Sequence, residues 1–344
     1  VSTIYPYKNH LLLISIIANL RKKGFEIELD IIGSGPTQFS KRVYDQIQKN
    51  SLQEYVRIIG HLDRKTLLSQ LQSYDFAFFV SFFPQLVAGP IVRAAEFLPQ
   101  IKRPYYLSSS GFGRAVFLIM GGLFKKVVIS DYISVNFVDR VFETPEMYSG
   151  FMNLMAVYGY SIQIYCDFSG YSDIAIGLAA LLGFKLPINF NSPYKAQSLT
   201  DFWRRWHISL SSWLRDYLYI SLGGNRKSKV RTYVNLFITM LLGGLWHGAA
   251  TKFIVWGALH GVGLALHRVW AKYFNIATTK VGKLLAVVFT FHFVAFCWMY
   301  FRAADMTTVG TMLESIFTDF DFAGMFHRIG AYWKVFTLML LGYV

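Results

Sequence analysis

Residues 197–261 read QSLTDFWRRWHISLSSWLRDYLYISLGGNRKSKVRTYVNLFITMLLGGLWHGAATKFIVWGALHG. The first part is amphipathic at helical spacing. About 100° per residue sets Trp203, Trp206, Leu210, Trp213, Leu214 and Tyr217 on one face, with Arg204, Arg205, Arg215 and Asp216 opposite. Asp201 is placed to cap the start and to pair with Arg205 four residues on. His207 falls at the edge of the apolar face. The second part, residues 233–246, carries no charge and delivers His247 at or near membrane depth. An ionisable group there is costly and is a functional candidate by default. Gly243, Gly244 and Gly248 leave room for a second backbone or a substrate.

Each histidine also has a structural reading. His207 can belong to an interfacial helix whose tryptophans sit at headgroup level. His247 can be a packing residue bonded to a neighbouring carbonyl. His260, on the next apolar segment, is open to both readings.

Outward from this stretch, apolar segments dominate. Hydrophobic residues make up 54% of the 344 residues and charged ones 16%, yet the net charge is +14. That balance argues against a soluble class for the whole chain. It fits a membrane protein with Lys/Arg-rich cytoplasmic loops. The basic residues are scattered between apolar runs, so no continuous phosphate-binding stripe forms and no nucleic-acid partner is expected. Residues 233–246, 253–266 and 284–301 approach the roughly twenty residues needed to cross a bilayer. The run Arg226, Lys227, Lys229, Arg231 is expected to face the cytoplasm. Residues 76–92 contain Pro84, Gly89 and Pro90 and read as a broken or re-entrant segment. Residues 115–124 end at Lys125 and Lys126, an expected cytoplasmic anchor. Asp167 and Asp173 separate two apolar runs, 151–166 and 174–184, and are expected to bond loop or helix-start backbone. Cys166 and Cys297 form no CxxC pair, and no HExxH or other metal-ligand spacing occurs, so no metal is expected.

Residues 1–78 differ in kind. The order is an amphipathic helix, the β-run IELDIIGSGP, a polar helix near 38–50, the strand VRIIG, a helix near 65–73 and a strand at YDFAFFV. Strands alternating with helices imply a parallel α/β sheet. The chain starts in mid-element without methionine and reads as a fragment. No Gly, Ser or Pro-rich linker separates the two parts. A natural fusion and a fused or misassembled reading frame both remain open.

YCDFSGYSDIAIGLAALLGFKLPINFNSPY, FWRRWHISLSSWLRDYLYISLGGNR and LLGGLWHGAATKFIVWGALHG closely resemble the membrane-bound O-acyltransferase (MBOAT) family, in its AlgI-like branch of alginate O-acetyltransferases. The resemblance runs from about residue 79 to 344, truncated at both ends. It implies a mainly α-helical multi-pass protein of the bacterial inner (plasma) membrane, with a small N-terminal α/β, partial Rossmann-like segment on the cytoplasmic side. It further implies that His247 is catalytic and His207 its partner. The reaction would be transfer of an acyl group, acetyl in this branch, to hydroxyls of a cell-envelope or extracellular polysaccharide such as alginate. The implied donor is acetyl-CoA or a carrier-bound acyl group, with no bound cofactor. Implied partners are the lipid bilayer, the polysaccharide acceptor and envelope acetylation proteins. Trp203, Trp206, Trp246 and Asn191 are the candidate substrate-binding residues.

Residues 1–78 resemble part of the donor-binding domain of a GT-B group-one glycosyltransferase, in which Lys8 would contact the sugar-nucleotide diphosphate. The acidic donor motif and the acceptor half of that family are missing. A membrane-anchored glycosyltransferase fragment, an inactive fusion of the two and a non-catalytic transporter or scaffold are the competing readings. Histidine suits the base role in acyl transfer because its ordinary pKa lies near working pH. No GxSxG occurs to support a serine acyl-enzyme.

Overall fold

The computed structural model describes residues 10–22, 28–32, 37–59, 75–86, 88–101, 103–273 and 279–343. It divides into two compact units, Val1–Phe78 and Phe79–Val344.

In the first unit, α1 (His10–Lys22) and α2 (Thr37–Lys49) alternate with β1 (Leu29–Ile32) and β2 (Val56–Ile59). The strands pair in parallel, Leu29 opposite Val56 through Ile32 opposite Ile59. Ile14, Ile17 and Ala18 of α1 share a helical face and bury against Ile31, Val43, Ile47 and Val56. Asp30 stands opposite Arg57, and their side chains meet at 2.8 Å. The GSGP turn, the helix near 65–73 and Lys8 lie outside the described residues.

The expected strand at YDFAFFV is instead a helix, α3 (Asp75–Ser81). The reason is packing. Phe79 and Phe82 both meet the ring of Phe97, at 5.4 and 4.9 Å. Phe82 lies just past the helix end with extended backbone, φ −64° and ψ 100°, so the helix and the turn after it together present both rings to Phe97.

The second unit is a helical assembly. After α4 (Ala94–Ile101) comes α5 (Ser109–Leu123), which runs on without a break through π-helical turns at Phe124–Ser130 and Ser134–Val138. It packs along α6 (Gly150–Leu181), a single helix of 32 residues. The continuity of both elements corrects two expectations. Lys125 and Lys126 are not at a helix end, and Asp167 and Asp173 lie inside α6 rather than at loops or helix starts. Each carboxylate has a lysine partner: Lys125–Asp173 and Lys126–Asp167 are each 2.6 Å, and Lys126 also meets Asp131 at 2.8 Å. Carboxylates that would break an isolated apolar helix are tolerated because the neighbouring element supplies their counterions.

The three expected spans are α9 (Lys229–His247), α10 (Thr251–Tyr273) and α11 (Lys280–Arg302), which follow the shorter α7 (Leu199–Arg205) and α8 (Ile208–Trp213). Among the described residues, only α11 is long and apolar enough to cross a membrane by length and composition. The α9–α10 seam is made by glycine. A Cβ on Gly257 would stand 2.5 Å from the Met240 carbonyl oxygen, and one on Gly244 would strike the Phe253 carbonyl. Backbones this close are the small-residue packing of membrane helices. The main core gathers Phe202, Trp206, Trp256, Trp298 and Met299 around α6 and α11.

Candidate active site

The amphipathic stretch is not one helix. α7 ends at Arg205, Trp206 is extended, and His207 adopts φ 41° and ψ 57° before α8 begins. Ser198 caps α7 by accepting the Asp201 N–H at 3.1 Å. Asp201 accepts the Gln197 N–H at 3.2 Å and pairs with Arg205 at 2.8 Å. The expected Asp201–Arg205 pair is therefore present, while the cap itself falls to Ser198. The break redistributes the apolar face: Phe202, Trp206, Leu210 and Leu214 are buried, whereas Trp213 and Tyr217 are exposed.

A left-handed histidine needs support from outside its own helix. Asn189 provides it. Its backbone carbonyl accepts the Ile208 N–H at 2.9 Å. Its side-chain oxygen accepts the Ser209 N–H at 3.2 Å and the Ser209 hydroxyl at 2.9 Å, and lies 3.1 Å from His207 Nδ1. A backbone N–H can only donate, so the atom facing His207 is the amide oxygen. His207 Nδ1 must then carry the proton, leaving Nε2 of the neutral ring as an acceptor. Phe168, at 4.6 Å between ring centres, and Phe190 flank the ring. The Ser209 hydroxyl also accepts the Ile91 N–H at 2.9 Å.

His247 is the last residue of α9. Gly248 ends the helix at φ 156° and ψ 160°, a conformation essentially confined to glycine. The imidazole stands in an aromatic cage, with Trp246 at 4.9 Å, Phe301 at 5.0 Å, Trp256 at 5.4 Å and Phe253 at 6.2 Å between ring centres. It is half-buried, and neither ring nitrogen is hydrogen-bonded to the described protein. His247 and His207 are linked through a chain of aromatic rings. Between them run Trp256, Trp298 and Trp206, with successive ring centres 5.8 and 4.9 Å apart.

The other candidates are placed as follows. Trp206 is core. Trp203 donates its indole N–H to His260 Nδ1 at 3.3 Å and lines a cleft of about 470 Å³ beside Arg204 and Arg268. Trp246 is 61% exposed and borders an apolar hollow of about 280 Å³ with Leu242 and Gly243. Asn191 is exposed, its backbone N–H bonded to the Arg205 carbonyl at 2.9 Å. His260 is fully buried, and its Nε2 has no hydrogen-bond partner among the described residues. Asn189 was not singled out from sequence. It shares the segment LPINFN with Asn191, and nothing local distinguishes the two amides.

The chain is similar to several known proteins. A peptidoglycan O-acetyltransferase of Helicobacter pylori is 46% identical over 244 residues, covering 70% of this chain and 46% of the relative. A probable alginate O-acetylase, AlgI, of Pseudomonas aeruginosa is 47% identical over 244 residues, covering 71% and 46%. A teichoic acid D-alanyltransferase of Bacillus subtilis is 30% identical over 260 residues, covering 72% and 65%. The chain thus spans about half the length of the first two. The profile of the membrane-bound O-acyltransferase family matches residues 37–308, more than three quarters of the chain, and takes in both histidines and the helices that carry them. On that match the chain belongs to the membrane-bound O-acyltransferase family.

Proposed function

We propose that the chain carries the histidine centre of a membrane O-acyltransferase acting on hydroxyls of a cell-envelope or extracellular polysaccharide. The observation that carries this reading is the pairing of two unlike imidazoles: one fixed in a defined tautomer by Asn189, the other in an aromatic cage with both nitrogens unbonded. His247 is the general base. It takes the proton of the acceptor hydroxyl as the oxygen attacks the acyl carbonyl. The tetrahedral intermediate collapses by expelling the donor's thiolate, which recovers the proton from the imidazolium. His207, with a bare Nε2, accepts a hydrogen bond from the acceptor sugar and orients it. It is not set to donate to an oxyanion. Trp246, exposed beside His247, supplies a flat wall for substrate.

Acetyl is the acyl group that best fits the two acetylating relatives. Acetyl-CoA or an acyl-carrying partner protein is the donor in this reading. The chain would sit in a bacterial inner membrane, with the basic segment 226–231, which runs into the first turn of α9, and the N-terminal unit in the cytoplasm. That unit we read as part of a Rossmann-like domain. Its paired parallel strands support this, and the relatives' names favour acyl transfer over sugar transfer for the chain as a whole.

The test is the O-acetyl content of polysaccharide from cells producing wild type or His247→Ala at matched membrane levels. Loss of a general base lowers the rate about 10²–10⁴-fold. Near-normal acetylation by the variant would remove His247 from the reaction.

A further inference from the structure

At the start of α5 and the end of α6 lies a second cleft of about 470 Å³, remote in sequence from the histidine-bearing α9. Arg103, Arg114 and Lys185 line it, together with Tyr105 and Tyr106. Among the described residues no acidic side chain pairs with any of the three cations. Elsewhere in the unit, Lys125, Lys126, Arg205 and Arg302 all face carboxylates. The remaining wall is apolar, built from Leu118 and Ile176 on the two helices and Ile188 on the loop after α6.

Tyr105 is held in place. Its hydroxyl donates to the Leu181 carbonyl, and its ring covers Gly183, where φ is +88° and no Cβ has room. Tyr106 is 88% exposed beside it. A single cation at a helix end is ordinary snorkelling. Three uncompensated cations around one concavity, over an apolar floor, describe a receptor for an anionic group attached to hydrocarbon.

The neighbouring surface selects the class of ligand. On α5, Phe112, Val116, Phe117, Met120 and Leu123 are all exposed and follow helical spacing, so one stripe of that helix presents hydrocarbon. Basic clefts between membrane helices take anionic lipid headgroups, and interfacial tyrosines mark the same depth. We infer that this cleft binds an anionic phospholipid, its phosphate against Arg103, Arg114 and Lys185 and its chains along the α5 stripe. The inference rests on the membrane reading of the family and is independent of acyl transfer.

The experiment is lipid retention. The chain is reconstituted in nanodiscs of equal parts phosphatidylcholine and phosphatidylglycerol, then released and weighed by native mass spectrometry. Wild type should keep phosphatidylglycerol in preference to phosphatidylcholine. A basic residue near an anionic surface contributes about 1 kcal/mol, so each of Arg103→Gln, Arg114→Gln and Lys185→Gln should weaken retention about fivefold and the triple variant about 100-fold. Arg103→Lys with Arg114→Lys should retain the lipid and controls for folding. Equal retention of the two lipids by wild type, or unchanged preference in the single and triple variants, would overturn the assignment. So would displacement of the lipid by inorganic phosphate at millimolar concentration, which would make the cleft a site for soluble phosphates.

Discussion

Replacing Asn189 by leucine keeps the side chain's volume and removes its oxygen. Three donors lose their acceptor: the Ser209 N–H, the Ser209 hydroxyl and His207 Nδ1. The hydroxyl can rotate to another partner and the imidazole can shift its proton to Nε2, but the Ser209 N–H cannot move, and both residues are buried. One orphaned buried N–H costs about 1–3 kcal/mol. For a domain of this size each kcal/mol lowers Tm by about 2–4 °C, so Asn189→Leu should melt about 2–12 °C below wild type. Asn189→Asp keeps an acceptor oxygen for the same three donors and should recover most of that loss. The assay is thermal unfolding in lipid nanodiscs, with polysaccharide acetylation measured in parallel. Acetylation should fall in the leucine variant by more than its folded fraction explains, because His207 is no longer held in its left-handed conformation. If the leucine and aspartate variants melted together at the wild-type temperature, the tautomer argument for His207 would lose its basis.

Two further outcomes test the frame around the site. Gly257→Ala places a Cβ 2.5 Å from the Met240 carbonyl, where no flexible side chain can yield, so the α9–α10 seam must open. A cost of about 1–3 kcal/mol is expected, read as a lower Tm, while Gly310→Ala, inside a helix and meeting nothing within 4 Å, should melt at or slightly above the wild-type temperature. Asp216, in the turn after α8 and outside the spans, is held down from 3.8 to about 2, chiefly by its hydrogen bonds from Arg215 and Arg93. A depressed carboxylate contributes stability above its unfolded pKa and loses it as pH falls through the folded one. Wild type should therefore lose stability relative to Asp216→Asn between about pH 4 and pH 2, and parallel melting curves across that window would contradict the pairing.

The division between what is local and what is not follows from range. The apolar run that ends in His247 and the pairing of Asp201 with Arg205 depend on residues within one helix, so spacing alone exposes them. So does the alternation of helix and strand in residues 10–59. The LWHG setting of His247 is equally local, and the resemblance it carries extends through the segments that the family profile matches. The break at His207 is different. Helical spacing argues for a continuous amphipathic helix there, and only the oxygen of Asn189, eighteen residues earlier, makes the left-handed turn affordable. The unbroken course of α6 through Asp167 and Asp173 likewise needs Lys126 and Lys125, about forty to fifty residues away, because a carboxylate's cost in an apolar helix is decided by its counterion. Phe79 joins a helix, with Phe82 just past its end, and Phe97 meets both rings. In each case composition along the chain names the groups, and the free energy that chooses among their conformations comes from a partner that no local window contains.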